Sequence, residues 1–202
     1  HLYCPAKEEG YRSRAAYKLI ELDQKFNLLK SCLKVVDLGC APGGWIQVAI
    51  NKVGSSGLVI GVDLLPVVPF SKNDFRSSSS FVSPVIISGD ITSKAVQQQI
   101  IEKAGGKVDL LLSDMSPDLT GIYFQDAVRS AELVETAFLL AETLLTQGGN
   151  VVTKIFPGAE SDQLFNAVRK QFKKFSRVTL KSTRKTSKEF YFVGQGYSRP
   201  IL

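Results

Sequence analysis

The sequence predicts an α/β fold, a doubly wound and mostly parallel sheet with one antiparallel strand near the carboxyl end. Short runs that are apolar on both faces alternate along the chain with stretches of helical period, and nearly every run closes on a charged or glycine-bearing turn. Such runs suit strands covered by helices on both sides, as parallel sheets are. With 202 residues, the chain can bury one substantial core and is short for two ordinary domains, so a single domain over 1–202 is expected.

Residues 14–26 place Ala15, Leu19, Leu22 and Phe26 at helical spacing, with Ser13 as a candidate cap. This predicts an opening amphipathic helix over about 13–27. Strands are expected at 34–38, 58–62, 85–88, 108–113 and 150–153, and helices at 45–53, 94–104, 127–145 and 161–174. Right-handed crossovers then set helices on both faces. After the last helix, 177–181 and 189–195 read as two strands with no room for a helix between them, hence antiparallel. Residues 71–84, rich in serine, read as a surface loop and an insertion.

Composition narrows the chemistry. The only histidine is His1, which argues against histidine catalysis and the usual zinc sites, and no metal is expected. Three cysteines, Cys4, Cys32 and Cys40, form no C-x-x-C pair, and their odd number suits a reducing compartment. Cytoplasm is therefore expected, with the mitochondrion as the alternative. The first ten residues carry Lys7, Glu8 and Glu9 and do not resemble a secretory leader. No apolar run reaches the roughly 20 residues of a membrane span.

The net charge of +6 is unevenly placed. From Arg169 to Arg199 there are ten basic residues and one acid, Glu189. Such a patch suits a polyanion, although a solvated helix face would also account for several of these lysines.

Asp37, Asp63, Asp90, Asp114 and Lys154 stand at the ends of the five predicted parallel strands. Ligands of open α/β sheets bind outside the carboxyl ends of the strands, so the five are expected to mark one pocket. A single Asp in such a place is usually a turn former or cap. The first turn, Asp37-Leu-Gly-Cys-Ala-Pro-Gly-Gly-Trp45, resembles a dinucleotide fingerprint but lacks the glycine at Ala41, and Pro42 removes an N–H. Close approach at Gly39 and Gly43, with carboxylates nearby, suits a ligand that has adenosine and amino-acid parts and no phosphate. S-adenosylmethionine has those parts.

Six motifs carry a resemblance. Gly10-Tyr-Arg-Ser-Arg-Ala-Ala-Tyr-Lys-Leu19, Asp37–Trp45, Asp63-Leu-Leu-Pro66, Ser113-Asp-Met-Ser-Pro117, Val152-Thr-Lys-Ile-Phe156 and Ser187-Lys-Glu-Phe-Tyr191 resemble the FtsJ/RrmJ family of ribose 2′-O-methyltransferases, over about residues 10–196. The resemblance implies a Rossmann-like S-adenosylmethionine methyltransferase sheet and a catalytic tetrad at Lys18, Asp114, Lys154 and Glu189. It implies cofactor contacts at Gly43, Trp45, Asp63, Asp90 and Asp114, beside the first-turn candidates Asp37 and Gly39. Lys154 would accept the hydroxyl proton or, staying charged, only orient the oxygen. Arg12, Arg14, Lys18, Arg184, Lys185 and Lys188 are the expected RNA contacts. The implied substrate is a uridine of large-subunit ribosomal RNA, with a tRNA anticodon loop as the alternative and a non-catalytic RNA binder on the same fold as a reading of another class. A monomer is expected.

Overall fold

The computed structural model describes residues 9–76 and 82–199; His1, Cys4 and the serine-rich centre of the 71–84 segment lie outside the described residues. Cα packing divides the chain into two compact units, His1–Gly105 and Gly106–Leu202.

In the first unit, α1 (Ala15–Phe26), β1 (Lys34–Leu38), α2 (Gly44–Val53), β2 (Leu58–Asp63), β3 (Val85–Ser88) and α3 (Lys94–Ala104) follow one another. β2 lies between β1 and β3 and is parallel to both, in registers that include Asp37↔Gly61 and Asp63↔Ser88. Val35, Val36, Asp37 and Leu38 are all buried, as a strand covered on both faces must be. Glycine at position 61 has a packing reason: a Cβ there would lie 2.7 Å from Cys40 Sγ and 2.9 Å from Ile46 Cδ1. The first turn and α2 can therefore press onto β2. Ser13 does not cap α1, which starts from Arg14 without a side-chain cap bond.

The second unit holds β4 (Val108–Ser113), α4 (Tyr123–Leu144), β5 (Leu145–Ile155), α5 (Ala159–Val168), β6 (Phe172–Val178) and β7 (Phe190–Tyr197). β4 and β5 are parallel, while β7 runs antiparallel to both β5 and β6. The two units thus have the expected α/β character, mostly parallel with one antiparallel strand near the end.

Three boundaries differ most from expectation. β5 starts at Leu145 rather than 150, because Leu145 pairs with Val108 before the register shifts to Leu110↔Asn150. Gly148, in Gln147-Gly-Gly149, takes a positive φ of 81°, and the chain carries it as an irregularity within the strand. The helix expected over 161–174 stops at Val168, passes through a 3-10 turn at Arg169–Gln171 and becomes β6. Phe165, Val168, Phe172 and Phe175 have helical spacing, yet pairing with β7 takes the last two. Phe175 then meets Phe165, Phe172 and Phe192 with ring centroids 5.1, 5.6 and 5.4 Å away, and a Cβ at Gly194 would stand 2.8 Å from Phe172 Cδ1. The strand predicted at 177–181 therefore lies earlier, as β6. Among the described residues no helix is long and apolar enough to cross a membrane.

Candidate functional site

Strand register brings the polar side chains of the second unit together. Ser113, the last residue of β4, pairs with Thr153 on β5, and Lys154 pairs with Tyr191 on β7. Side chains alternate along a strand, so Glu189 falls in phase with Tyr191. Asp114, one residue past β4, sits beside Lys154 and Tyr191. Lys154 Nζ stands 3.6 Å from Asp114 Oδ1, and the Tyr191 hydroxyl donates to the same oxygen at 2.6 Å. Lys154 and Glu189 are each 8% exposed and Tyr191 is fully buried. An ammonium, two carboxylates and a phenol thus meet at the carboxyl ends of β4 and β5, in largely dry surroundings where each charge is felt strongly.

Tyr191 is the member of this polar cluster that sequence reasoning missed. In Phe190-Tyr-Phe-Val193 it reads as core, and only its phase with Glu189 could have singled it out. Its phenol is held well above the ordinary value by burial first, then by the charges of Asp114 and Glu189. It therefore stays a hydrogen-bond donor to Asp114 through the physiological range. The folded state keeps this proton at pH values where the unfolded chain gives it up. Its contribution to stability is thus complete below about pH 10 and is lost above it, by up to about 1.4 kcal/mol per pH unit. Burial pushes the Cys40 thiol up as well, adding a loss of the same sign from about pH 8.5. Tyr191→Phe is expected to flatten the fall of Tm between about pH 10 and 11. Parallel melting curves for the two proteins would contradict this.

In the first unit, the turn between β1 and α2 is tightly tied. The N–H groups of Gly39 and Cys40 donate to Val62 O at 2.8 and 3.1 Å, and that of Ala41 donates to Asp63 Oδ2 at 2.8 Å. Asp63 Oδ1 takes the Leu65 N–H at 2.8 Å. Asp63 thus closes β2 and pins the first turn at once. Asp37 is buried within β1, one residue before the strand's end. Asp90, exposed two residues after β3, accepts the Thr92 N–H and hydroxyl on Oδ1 at 2.9 and 2.8 Å, and these bonds hold its carboxyl below the ordinary range. Lys18 lies half-buried on α1.

Two expected contacts have other work. Trp45 is 3% exposed and its indole N–H donates to Ala15 O at 2.7 Å, so the side chain ties α2 to the start of α1. Arg12, expected on RNA, has its guanidinium engaged within the fold. Nε and Nη2 donate to Asp74 at 2.8 and 3.2 Å. Nη1 donates to Val68 O at 2.6 Å and Pro42 O at 3.2 Å, and Nη2 also donates to Pro69 O at 2.9 Å. Its carbon lies 3.6 Å from the Phe70 ring centroid. Every N–H of the fork has an acceptor, so Arg12 is a clamp joining the 68–74 segment to the first turn. Fully buried Gln47 completes it, accepting the Arg12 N–H at 2.7 Å and donating to Gly10 O at 2.9 Å and Asp74 O at 2.7 Å.

The Arg12 bond is also the first cause of a lowered Asp74 carboxyl. A lowered carboxyl contributes stability that is present above the unfolded value of about 4 and lost as the solution becomes more acidic. Lysine cannot reproduce the fork. Arg12→Lys is expected to lower stability by roughly 2–3 kcal/mol at neutral pH, and to shrink this difference below about pH 4, as read by urea titration. An unchanged urea midpoint would contradict the clamp.

Arg14, Arg184, Lys185 and Lys188 are exposed. Three of them stand on the segment that leads into Glu189.

The profile of the FtsJ-like methyltransferases matches residues 11–197. A ribosomal RNA large subunit methyltransferase E from Methanothermobacter thermautotrophicus is 43% identical over 98% of this chain and 89% of its own length. The protein of the same name from Methanobrevibacter smithii is 43% identical over 95% of this chain and 87% of its own. A crystal structure described as a ribosomal RNA methyltransferase from Plasmodium falciparum superposes with a TM-score of 0.78 at 28% identity, over 93% of this chain and 98% of that one. With register, polar cluster and near full-length similarity in agreement, the chain belongs to the FtsJ-like methyltransferase family.

Proposed function

We propose that this protein transfers a methyl group from S-adenosylmethionine to a ribose 2′-hydroxyl of RNA, at a uridine of large-subunit ribosomal RNA. The observation that carries the reaction is Lys154 held 3.6 Å from Asp114, among side chains set by three adjacent strands. Names borne by relatives that match nearly end to end support ribosomal RNA as the substrate.

The first turn fits such a donor better than a dinucleotide. Gly39, Cys40 and Ala41 already give their N–H groups to Val62 and Asp63, and Pro42 has none. Four successive positions therefore offer nothing to a pyrophosphate, whose binding depends on such donors. Gly39 and Gly43, with φ of 72° and 117°, allow close backbone approach, and the carboxylates of Asp37, Asp63 and Asp90 in the same unit suit amine and hydroxyl groups. The bound cofactor would supply an electrophilic methyl on a positively charged sulfur. Trp45 would act from beneath, by fixing α2.

Lys154 meets the ribose oxygen and either takes its proton or steadies the negative charge left when solvent takes it. Asp114 orients the ammonium, Tyr191 orients Asp114, and Glu189 positions the ribose. Arg14, Arg184, Lys185 and Lys188 hold phosphates, which gives salt-dependent affinity with little sequence preference. The test uses tritiated S-adenosylmethionine with separated large-subunit ribosomal RNA and tRNA from cells lacking the protein. Label in ribosomal RNA is expected; label confined to tRNA would move the substrate to the anticodon-loop alternative, and none in either would refute transfer to RNA.

A further inference from the structure

A cleft of about 440 Å³ opens in the second unit beside the segment that delivers Glu189. Apolar Leu119, Tyr123 and Phe156 line it together with Arg184, Thr186 and Lys188. Leu119 is 68% exposed and Tyr123 43%; neighbouring Ile122 and Phe124 are exposed as well. A group of exposed apolar side chains beside a cleft marks a binding surface. Exposed cations rim this one, which points to a ligand that is flat and apolar in one part and anionic in another.

The aromatic wall is held in place by bonds of its own. The Tyr123 hydroxyl donates to Pro157 O at 2.6 Å, fixing the ring to the loop two residues past β5. Asp126 Oδ1 accepts both the N–H and the hydroxyl of Thr120 at 2.8 Å, which fastens the loop before α4. Lys188 Nζ rests 5.0 Å from the Tyr123 ring centroid, so the ring face carries a cation that an arriving phosphate would draw away. A cleft of this size suits a nucleoside rather than a folded peptide surface.

We propose that this cleft takes one unstacked base of single-stranded RNA, its ring against Tyr123 and its flanking phosphates on Arg184 and Lys188. Base-on-aromatic stacking with adjacent cations is how proteins hold splayed RNA. The inference rests on the RNA reading above and adds a site for a base to it. A base gripped here would anchor the strand next to Glu189.

The test measures binding of a fluorescein-labelled oligouridylate hexamer and of a base-free hexamer with the same phosphates. Tyr123→Leu is expected to weaken oligouridylate binding by about 10- to 100-fold, with no change for the base-free hexamer. Tyr123→Phe keeps the ring face while losing the bond to Pro157, and is expected to bind within about threefold of the unmodified protein. Lys188→Ala is expected to weaken both hexamers and to lower the salt slope by about one. An unchanged affinity of Tyr123→Leu, or equal losses for both hexamers, would overturn the base site, and so would a well-folded Tyr123→Phe that binds as weakly as Tyr123→Leu. Methyl transfer measured in parallel separates the two readings. Transfer with no effect of Tyr123 removes the cleft alone, whereas selective hexamer binding without transfer removes the enzyme reading and keeps the cleft.

Discussion

Lys154→Ala is expected to lower single-turnover methyl transfer by between about a hundredfold and ten-thousandfold, the range a positioned proton-handling group contributes. Lys154 is the cation paired with Asp114, and it faces Tyr191 across the β5–β7 ladder. Its removal leaves the hydroxyl without its proton acceptor or counter-charge. RNA affinity should change little, because the exposed cations proposed to hold phosphate lie elsewhere. Lys154→Arg separates the two roles. A guanidinium keeps the charge and cannot act as a base near neutral pH, so partial activity in this variant favours electrostatic orientation and complete loss favours proton transfer. An alanine variant that folds and transfers at the unmodified rate would remove Lys154 from the chemistry.

Gly43→Ala is expected to damage both stability and cofactor binding. Gly43 sits at φ 117°, where a side chain is strained, and an added Cβ would stand 2.4 Å from Phe70 Cζ and 3.3 Å from Arg12 Cδ. The Phe70 ring cannot swing aside freely. Arg12 covers it and Phe75 stacks on it with centroids 5.7 Å apart. Strain and overpacking together should cost roughly 2–4 kcal/mol, and a displaced turn should weaken S-adenosylmethionine binding by at least about tenfold, the equivalent of about 1.4 kcal/mol. Gly54→Ala is the control: its φ of 69° is also positive, but nothing lies within 4 Å of the added carbon. It should cost about 1 kcal/mol and leave calorimetric cofactor affinity unchanged. Equal effects of the two substitutions would show that Phe70 and Arg12 do not enforce the turn.

The parallel strands were legible because a strand buried on both faces has few sequences open to it, and Lys34–Leu38 and Val108–Ser113 match their expected limits. Asp114 and Lys154 stood out as charges closing apolar runs. The 165–178 region was misread because its phenylalanines satisfy helical period and strand pairing alike, and only contact with β7 decides between them. Gln147-Gly-Gly149 hid the first half of β5 for a similar reason. Tyr191 escaped notice since a buried phenol next to two phenylalanines carries no local sign that it faces a carboxylate three strands earlier in the chain. Arg12 illustrates the opposite difficulty. Its neighbours Arg14 and Lys18 suggest a basic surface, and the acceptors that enclose it, at Pro42, Val68, Pro69 and Asp74, are 30 to 62 positions away in sequence.

The most direct measurement is the chemical position of the transferred methyl. RNA labelled by the purified protein would be digested with alkali, which cannot cleave a phosphodiester next to a 2′-O-methyl ribose. Radioactivity is expected in alkali-resistant dinucleotides, and is expected to be absent with Lys154→Ala. Radioactivity in mononucleotides, as from a methylated base, would contradict it.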